Sequence, residues 1–273
     1  MSSAAGRAAR LLAGVTRQME EVLGSVTGLV TAAESIAGEA AWPPGSLLPG
    51  GHPPGSKPPG GKLPGGKELR RDDFAALRPL AAGLLREHAG LAAGAGVVLA
   101  PHTLADAPRC IEWWWSDRSA RVVPLEVDLD PESAEFYDYT TTEWYREPER
   151  TGTPTLAGPY VDFICTHEYT FTLAAPVRHA GRFIGVAAAD ILATQVERLV
   201  LPGLCGLGLA GPGQAAVLTS GHGRVIASTS ASLPPGAALP RPSQETGCTP
   251  LAGPGAGHPP RLLPWSLLIV PTA

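Results

Sequence analysis

Between Asp130 and Asp190, aromatic, hydroxyl and acidic side chains recur at spacings that allow them to converge: Tyr137, Trp144, Tyr145, Tyr160, Asp162 and Asp190. Two carboxylates beside several aromatic faces make up the composition that a bound ammonium requires. Each aromatic face contributes roughly 0.5 to 2 kcal/mol of cation–π attraction, according to how far it is desolvated. A carboxylate adds a charge-assisted hydrogen bond. The plainer reading makes the aromatics core, lets Asp162 cap a turn, and makes Asp190 the N-cap of a following helix. For Asp190 alone the two readings are evenly matched, but the set taken together points to a ligand.

Other chemistries lack their partners. Gly206-x-Gly208-x-x-Gly211 matches a dinucleotide fingerprint by letter, but it follows a predicted helix and precedes a predicted strand. Phosphate binding needs the reverse order, strand then loop then helix N-terminus. His167-Glu168 lacks the second histidine of a zinc-protease helix and is expected in a strand, where Cys165 and His167 share a face without a third group to orient the histidine. Neither G-x-S-x-G nor a P-loop occurs. The four cysteines, Cys110, Cys165, Cys205 and Cys248, are tens of residues apart and never reach a metal-ligand spacing. No catalytic set, no metal site and no cofactor are therefore expected, and the chain is read as a binding module. A hydrolase built on Cys165 or His167 is the rival from another class.

The chain that must position these residues has 273 of them, with 44% hydrophobic and 17% charged, which fits a globular protein with a sizeable core. A formal charge of −4 and scattered Lys and Arg leave no basic stripe for a nucleic acid. No apolar run is long enough to span a membrane, and Arg7, Arg10, Arg17, Glu20 and Glu21 break up the N-terminus against a secretion signal. A cytoplasmic address with reduced thiols is expected.

Four regions follow. In residues 1–41 the positions Leu11, Val15, Met19, Val22, Val26, Leu29, Ala33 and Ile36 make the apolar seam of one long helix, facing either its own domain or a second copy in a homodimer. Residues 42–67, WPPGSLLPGGHPPGSKPPGGKLPGGK, form a Pro/Gly-rich loop. Residues 68–201 open with a helix over Glu68 to Ala89 and a Gly-rich turn from Gly90 to Gly96. Strands then start at Val97, Arg109 and Arg121. Of Trp113, Trp114 and Trp115, two are assigned to the core and one is available to line a pocket. Asp130 as N-cap and Pro131 in the first turn predict a helix running to Pro148, with Tyr137, Trp144 and Tyr145 on one face. A meander of strands at Gly158, Tyr169 to Val177 and Arg182 to Ala189 follows, then a helix over Ile191 to Leu201. Residues 202–273 hold a hairpin, a Pro/Gly-rich loop from Ser232 to Pro260 and a last strand at Trp265 to Val270, a smaller module that leans on the first.

The stretch from Tyr137 to Asp190 resembles the double-Cache sensor domains, PAS-like modules of bacterial chemoreceptors and sensor kinases. The likeness lies in the helix ending in Trp-Tyr, the Gly-Pro-Tyr-x-Asp strand and the strand end Phe-Ile-Gly-Val-Ala-Ala-Ala-Asp-Ile. It implies an α+β fold: a long N-terminal helix, a PAS-like antiparallel sheet with the ligand in its pocket, and a second, smaller β-containing module. It is closest to the amino-acid-sensing subfamily, whose motif is Tyr, Arg-x-Trp-Tyr, Tyr-x-Asp and a distal Asp. Tyr137, Trp144, Tyr145, Tyr160, Asp162 and Asp190 match these positions, while Thr142 stands where the motif has its arginine. That arginine helps hold the ligand's carboxylate, so its loss shifts the expected ligand from an amino acid to an amine, unless Arg146, Arg178 or Arg182 replaces it. Output through dimerisation or an unknown signalling partner, or a degenerate module that only makes protein contacts, completes the set of expectations.

Overall fold

The computed structural model describes residues 4–39, 68–117, 119–164, 167–208, 210–239, 249–252 and 263–272. The Pro/Gly-rich segment 42–67 lies outside them. Helix α1 spans Ala4–Gly38, a longer run than the seam required. Its stripe of Val15, Met19, Val22, Val26, Leu29 and Ala33 is buried within the chain itself, at 2% exposure or less. Burying each of the larger side chains contributes roughly 1.5 to 3 kcal/mol. The seam is thus taken up by the protein's own sheets and is not left open for a second copy.

Two helices, α2 (Arg71–Ala75) and α3 (Arg78–Glu87), replace the single one expected from Glu68 to Ala89. Pro79, in the first turn of α3, has no N–H to carry the helical ladder on from the end of α2, and it is tolerated there because the first N–H groups of a helix have no partner within it.

Strands β1 (Ala92–Leu99), β2 (Cys110–Ser116), β3 (Val122–Pro124), β4 (Thr155–Val161), β5 (Tyr169–His179) and β6 (Arg182–Leu192) form one antiparallel sheet in the order β3-β2-β1-β6-β5-β4. Helix α5 (Ala193–Gly206) leads to a second antiparallel sheet. It consists of β7 (Gln214–Thr219), β8 (Val225–Ser228), β9 (Thr249–Ala252) and β10 (Ser266–Pro271), in the order β8-β7-β10-β9. This is the expected α+β architecture of a long helix and two antiparallel sheets. Strand β9 falls inside the segment expected to be loop.

Each central strand of the first sheet is buried on both faces. On one face Ala95, Val97, Leu99, Phe171, Leu173, Ala187, Ala189 and Ile191 join the core beneath α1. On the other face Val98, Ala174, Val186 and Ala188 meet Ile111, Trp113, Tyr139, Trp144 and Tyr145 in a separate cluster. Small residues dominate β6 because both sides of it are covered. Leu218, Ile226, Leu267 and Ile269 of the second sheet, with Trp265 just before β10, belong to the core beneath α1, and the Trp265 and Phe171 rings are 5.2 Å apart.

The segment before α4 (Glu143–Thr151) is where the fold departs most from expectation. No helix opens at Asp130. Its carboxylate accepts the Glu132 N–H at 3.0 Å, and the chain proceeds by turns to a 3-10 turn at Tyr139–Thr141. Residues 130–138 carry too few apolar side chains at helical spacing to pay back an ordered helix. Pro148 does not end α4 but lies within it, and Gly152, at φ 71°, provides the left-handed cap.

Candidate functional site

Strands β1, β2, β4, β5 and β6, helix α4 and the loop carrying Tyr137 meet on the face of the first sheet away from α1. Strand β1 contributes glycine. Gly94 and Gly96 belong to the strand, not to a turn, because a Cβ at Gly96 would stand 2.1 Å from the Glu112 carbonyl oxygen, and one at Gly94 would stand 2.6 Å from Trp113 Nε1. This lets the Trp113 indole of β2 lie across β1. Strands β5 and β6 bring Thr172 opposite Asp190, and β1 places Gly94 opposite the same aspartate.

The loop carrying Tyr137 is braced at its next residue. Asp138 accepts the Thr140 hydroxyl at 2.6 Å and the Arg109 guanidinium at 3.1 Å, and these bonds, Thr140 first, hold its carboxyl below the usual range. Arg109 also lies 4.8 Å from the Phe136 ring centroid. The Tyr139 hydroxyl donates to the Leu99 carbonyl at 2.8 Å and fixes the same loop to the end of β1.

Together these elements enclose a cavity of about 380 Å³, its open mouth included, lined by Val98, Ile111, Trp113, Leu125, Tyr137, Trp144, Tyr160, Asp162, Ile164, Thr172 and Asp190. Five of the seven residues expected at a ligand are brought together here: Tyr137, Trp144, Tyr160, Asp162 and Asp190.

The other two are placed elsewhere. Tyr145 is 2% exposed and packs edge-on against Tyr139, Trp144 and Phe183, with ring centroids 5.4 to 6.2 Å away. Neighbouring residues of a helix point about 100° apart, so with Trp144 toward the cavity Tyr145 turns into the core. Thr142 is the N-cap residue of α4, and its hydroxyl turns back to donate to the Tyr139 carbonyl at 2.7 Å.

Asp190 is not the cap of α5, whose N-cap is Leu192. It stays inside β6, 7% exposed, and accepts the Thr172 hydroxyl at 2.6 Å. An ionised carboxylate only accepts, so Thr172 donates to it and the Tyr160 hydroxyl donates in turn to Thr172. Burial, and secondarily the neighbouring Asp162, push the Asp190 carboxyl up to about 7. Burial also raises Tyr137 and Tyr160, so both phenols stay neutral. Asp162, 8% exposed, lines the cavity and also holds a turn by accepting the Ile164 N–H at 3.1 Å.

Sequence reasoning did not single out Thr172 or Trp113. Thr170 and Thr172 are the alternate hydroxyls of an otherwise apolar strand, a pattern that marks one face as polar. Trp113 belonged to a triplet in which period two separates it from Trp114 but not from Trp115. Trp114 joins the core beneath α1, and Trp115 is half-buried.

Among the described residues, no group of three or more His, Cys, Asp or Glu side chains is placed to hold a metal ion. His167 lies before β5 at φ 58°, in a turn and not in the strand expected, while Cys165 is outside the described residues. Burial pushes the Cys110 thiol up to about 12, where it is no nucleophile. No helix among the described residues is long and apolar enough to cross a membrane.

With this sheet, loop and cavity in view, comparison with known proteins gives a consistent answer. Residues 89–198 match the methyl-accepting chemotaxis protein-like first PDC sensor domain. The match covers β1 to β6 and every residue of the cavity. Among solved structures, Methyl-accepting Chemotaxis protein X is 16% identical over 94% of this chain and 96% of that one, with a TM-score of 0.54. The ligand-binding domain of Mlp24 with asparagine is 18% identical over 96% of this chain and 89% of that one, with a TM-score of 0.50. At such identities the likeness is one of fold. Against the extracellular domain of the histidine kinase mmHK1S-Z3 the match covers 58% of this chain and 56% of that one, at 17% identity and a TM-score of 0.43.

Proposed function

We propose that this chain is a ligand-binding sensor module whose cavity takes the cationic ammonium group of a small amine. The observation that carries the reading is charge. Asp162 and Asp190, both more than nine-tenths buried, face one cavity with Tyr137, Trp144 and Tyr160, and no Lys or Arg lines it among the described residues. Arg146, Arg178 and Arg182, the candidate replacements for the missing arginine, are not among its lining residues. An amino acid would have its ammonium satisfied and its carboxylate without a cationic partner. Leaving a buried charge unpaired costs about 3 to 5 kcal/mol, or roughly two to four decades of affinity. The match of residues 89–198 to a chemotaxis sensor domain supports a sensor and not an enzyme. Because the Mlp24 domain is described with asparagine, amino acids belong in the same test.

That test is a thermal-shift screen of the purified protein against ethanolamine, choline, putrescine and the amino acids, repeated with Asp190→Asn. Amines are expected to raise the unfolding midpoint and to lose the effect in the variant. A ligand at a hundred times its Kd adds about 2.7 kcal/mol. Stabilisation by amino acids alone would overturn the amine reading and require a basic group at the cavity.

A further inference from the structure

Among the described residues, the Asp190 carboxylate is held by a single hydrogen-bond donor, the hydroxyl of Thr172. The two residues are direct partners across β5 and β6, and Thr172 is 1% exposed. On the other flank β1 presents Gly94, which has no side chain to offer. A second bond fixes the threonine itself. Its one proton goes to Asp190 Oδ1, so it accepts the Tyr160 hydroxyl, and a chain of three groups runs from β4 through β5 to the carboxylate. Thr170, on the same face of β5, behaves differently. Its hydroxyl donates to the Glu168 carbonyl two residues back at 3.2 Å, a local bond of the ordinary kind for threonine, whereas Thr172 reaches across to a charge.

The surroundings of Asp190 give that bond its weight. The titratable groups facing it are Tyr160 in β4, Asp162 just after β4 and Tyr137 from the loop before α4. Strands β1, β2 and β5 and helix α4 present Gly94, Trp113, Thr172 and Trp144, which do not titrate. Both phenols are kept neutral by burial. Burial and the Asp162 charge each oppose ionisation of Asp190, and no Lys or Arg lines the cavity among the described residues to favour it. We propose that Thr172 is a positioning residue of this site: held in turn by Tyr160, its hydroxyl orients the Asp190 carboxylate and stabilises the ionised form, and so sets the lowest pH at which the cavity takes a cation. The cation rests on the amine reading, and the hold on Asp190 does not.

The test separates the two. Carbon-13 NMR of Asp-labelled protein without ligand follows the Asp190 carboxyl, assigned by its loss in Asp190→Asn. Its midpoint, near 7 in the wild type, is expected to rise by about one to two pH units in Thr172→Val, which keeps the shape and removes the hydroxyl. Thr172→Ser is expected to restore it. Thr172→Cys, a weaker donor of similar size, is expected to give a smaller rise, and it decides the matter if the valine variant does not fold. Calorimetry with choline then reads the consequence. Thr172→Val is expected to lose about 10- to 100-fold in affinity at pH 6 and almost nothing at pH 9.5, where Asp190 is ionised in both proteins. A midpoint that does not move in Thr172→Val or Thr172→Cys overturns the proposal. An equal loss of affinity at both pH values, the mark of a merely structural role, overturns it as well. Failure of every amine to bind the wild type overturns the amine reading and the cation half of this inference, while the carbon-13 midpoint still decides whether Thr172 holds Asp190.

Discussion

At Asp190 the fold works against the charge that a cationic ligand needs. The carboxyl moves from an ordinary 3.8 to about 7 because burial disfavours the anion more than the Thr172 hydroxyl favours it. Two consequences have definite signs. An ammonium binds the ionised form, so affinity is expected to rise as pH increases toward 7 and to level off above it, with up to tenfold lost per unit below. Calorimetric titrations with choline between pH 5.5 and 8.5 would show this, and a flat profile would contradict it. For folding, the native state holds this proton more tightly than the unfolded chain does. The stability contribution is therefore complete below about pH 4 and is lost as pH rises to 7, on the order of 4 kcal/mol by pH 8. Asp190→Asn should accordingly raise the empty protein's unfolding midpoint at pH 8 and change it little at pH 4. The two aspartates were legible in the sequence because a charge in or beside an apolar strand stands out. The place of Trp113 in the cavity wall was not, since its neighbour Trp115 shares its type and its strand parity.

At the scale of elements, α1 was readable from periodicity alone, because spacings of three and four leave no other regular structure open. The choice between its own domain and a second copy was not readable, since an apolar stripe does not say what covers it. Met19 is fully buried in that stripe. Met19→Ala is expected to cost about 2 to 5 kcal/mol in urea unfolding. A loss below about 0.5 kcal/mol would mean that α1 does not pack on the sheets as described. The segment from Asp130 to Thr142 misled for a physical reason. An aspartate followed by proline is a good helix start, but it is just as good a turn, and only tertiary contacts such as those of Asp138 and Tyr139 decide between them. Gly94 and Gly96 read as a turn because nothing local records the indole and carbonyl that crowd them.

For the whole molecule, the two sheets share one core beneath α1, with Trp265 of the segment before β10 packed on Phe171 of β5. Trp265→Ala is expected to destabilise the protein by about 3 to 5 kcal/mol and to shift a single transition monitored by tryptophan fluorescence and far-ultraviolet dichroism together. Two separate transitions would show that the sheets unfold independently. The first sheet has a further property. On β6, Asp190 faces the cavity while Ala189 and Ile191 on either side of it face α1. Between the cavity and the long helix there is thus a partition one residue thick. Any displacement of that strand would be a displacement of the helix's own bearing surface, with no relay of intervening side chains needed to reach the far side of the wall.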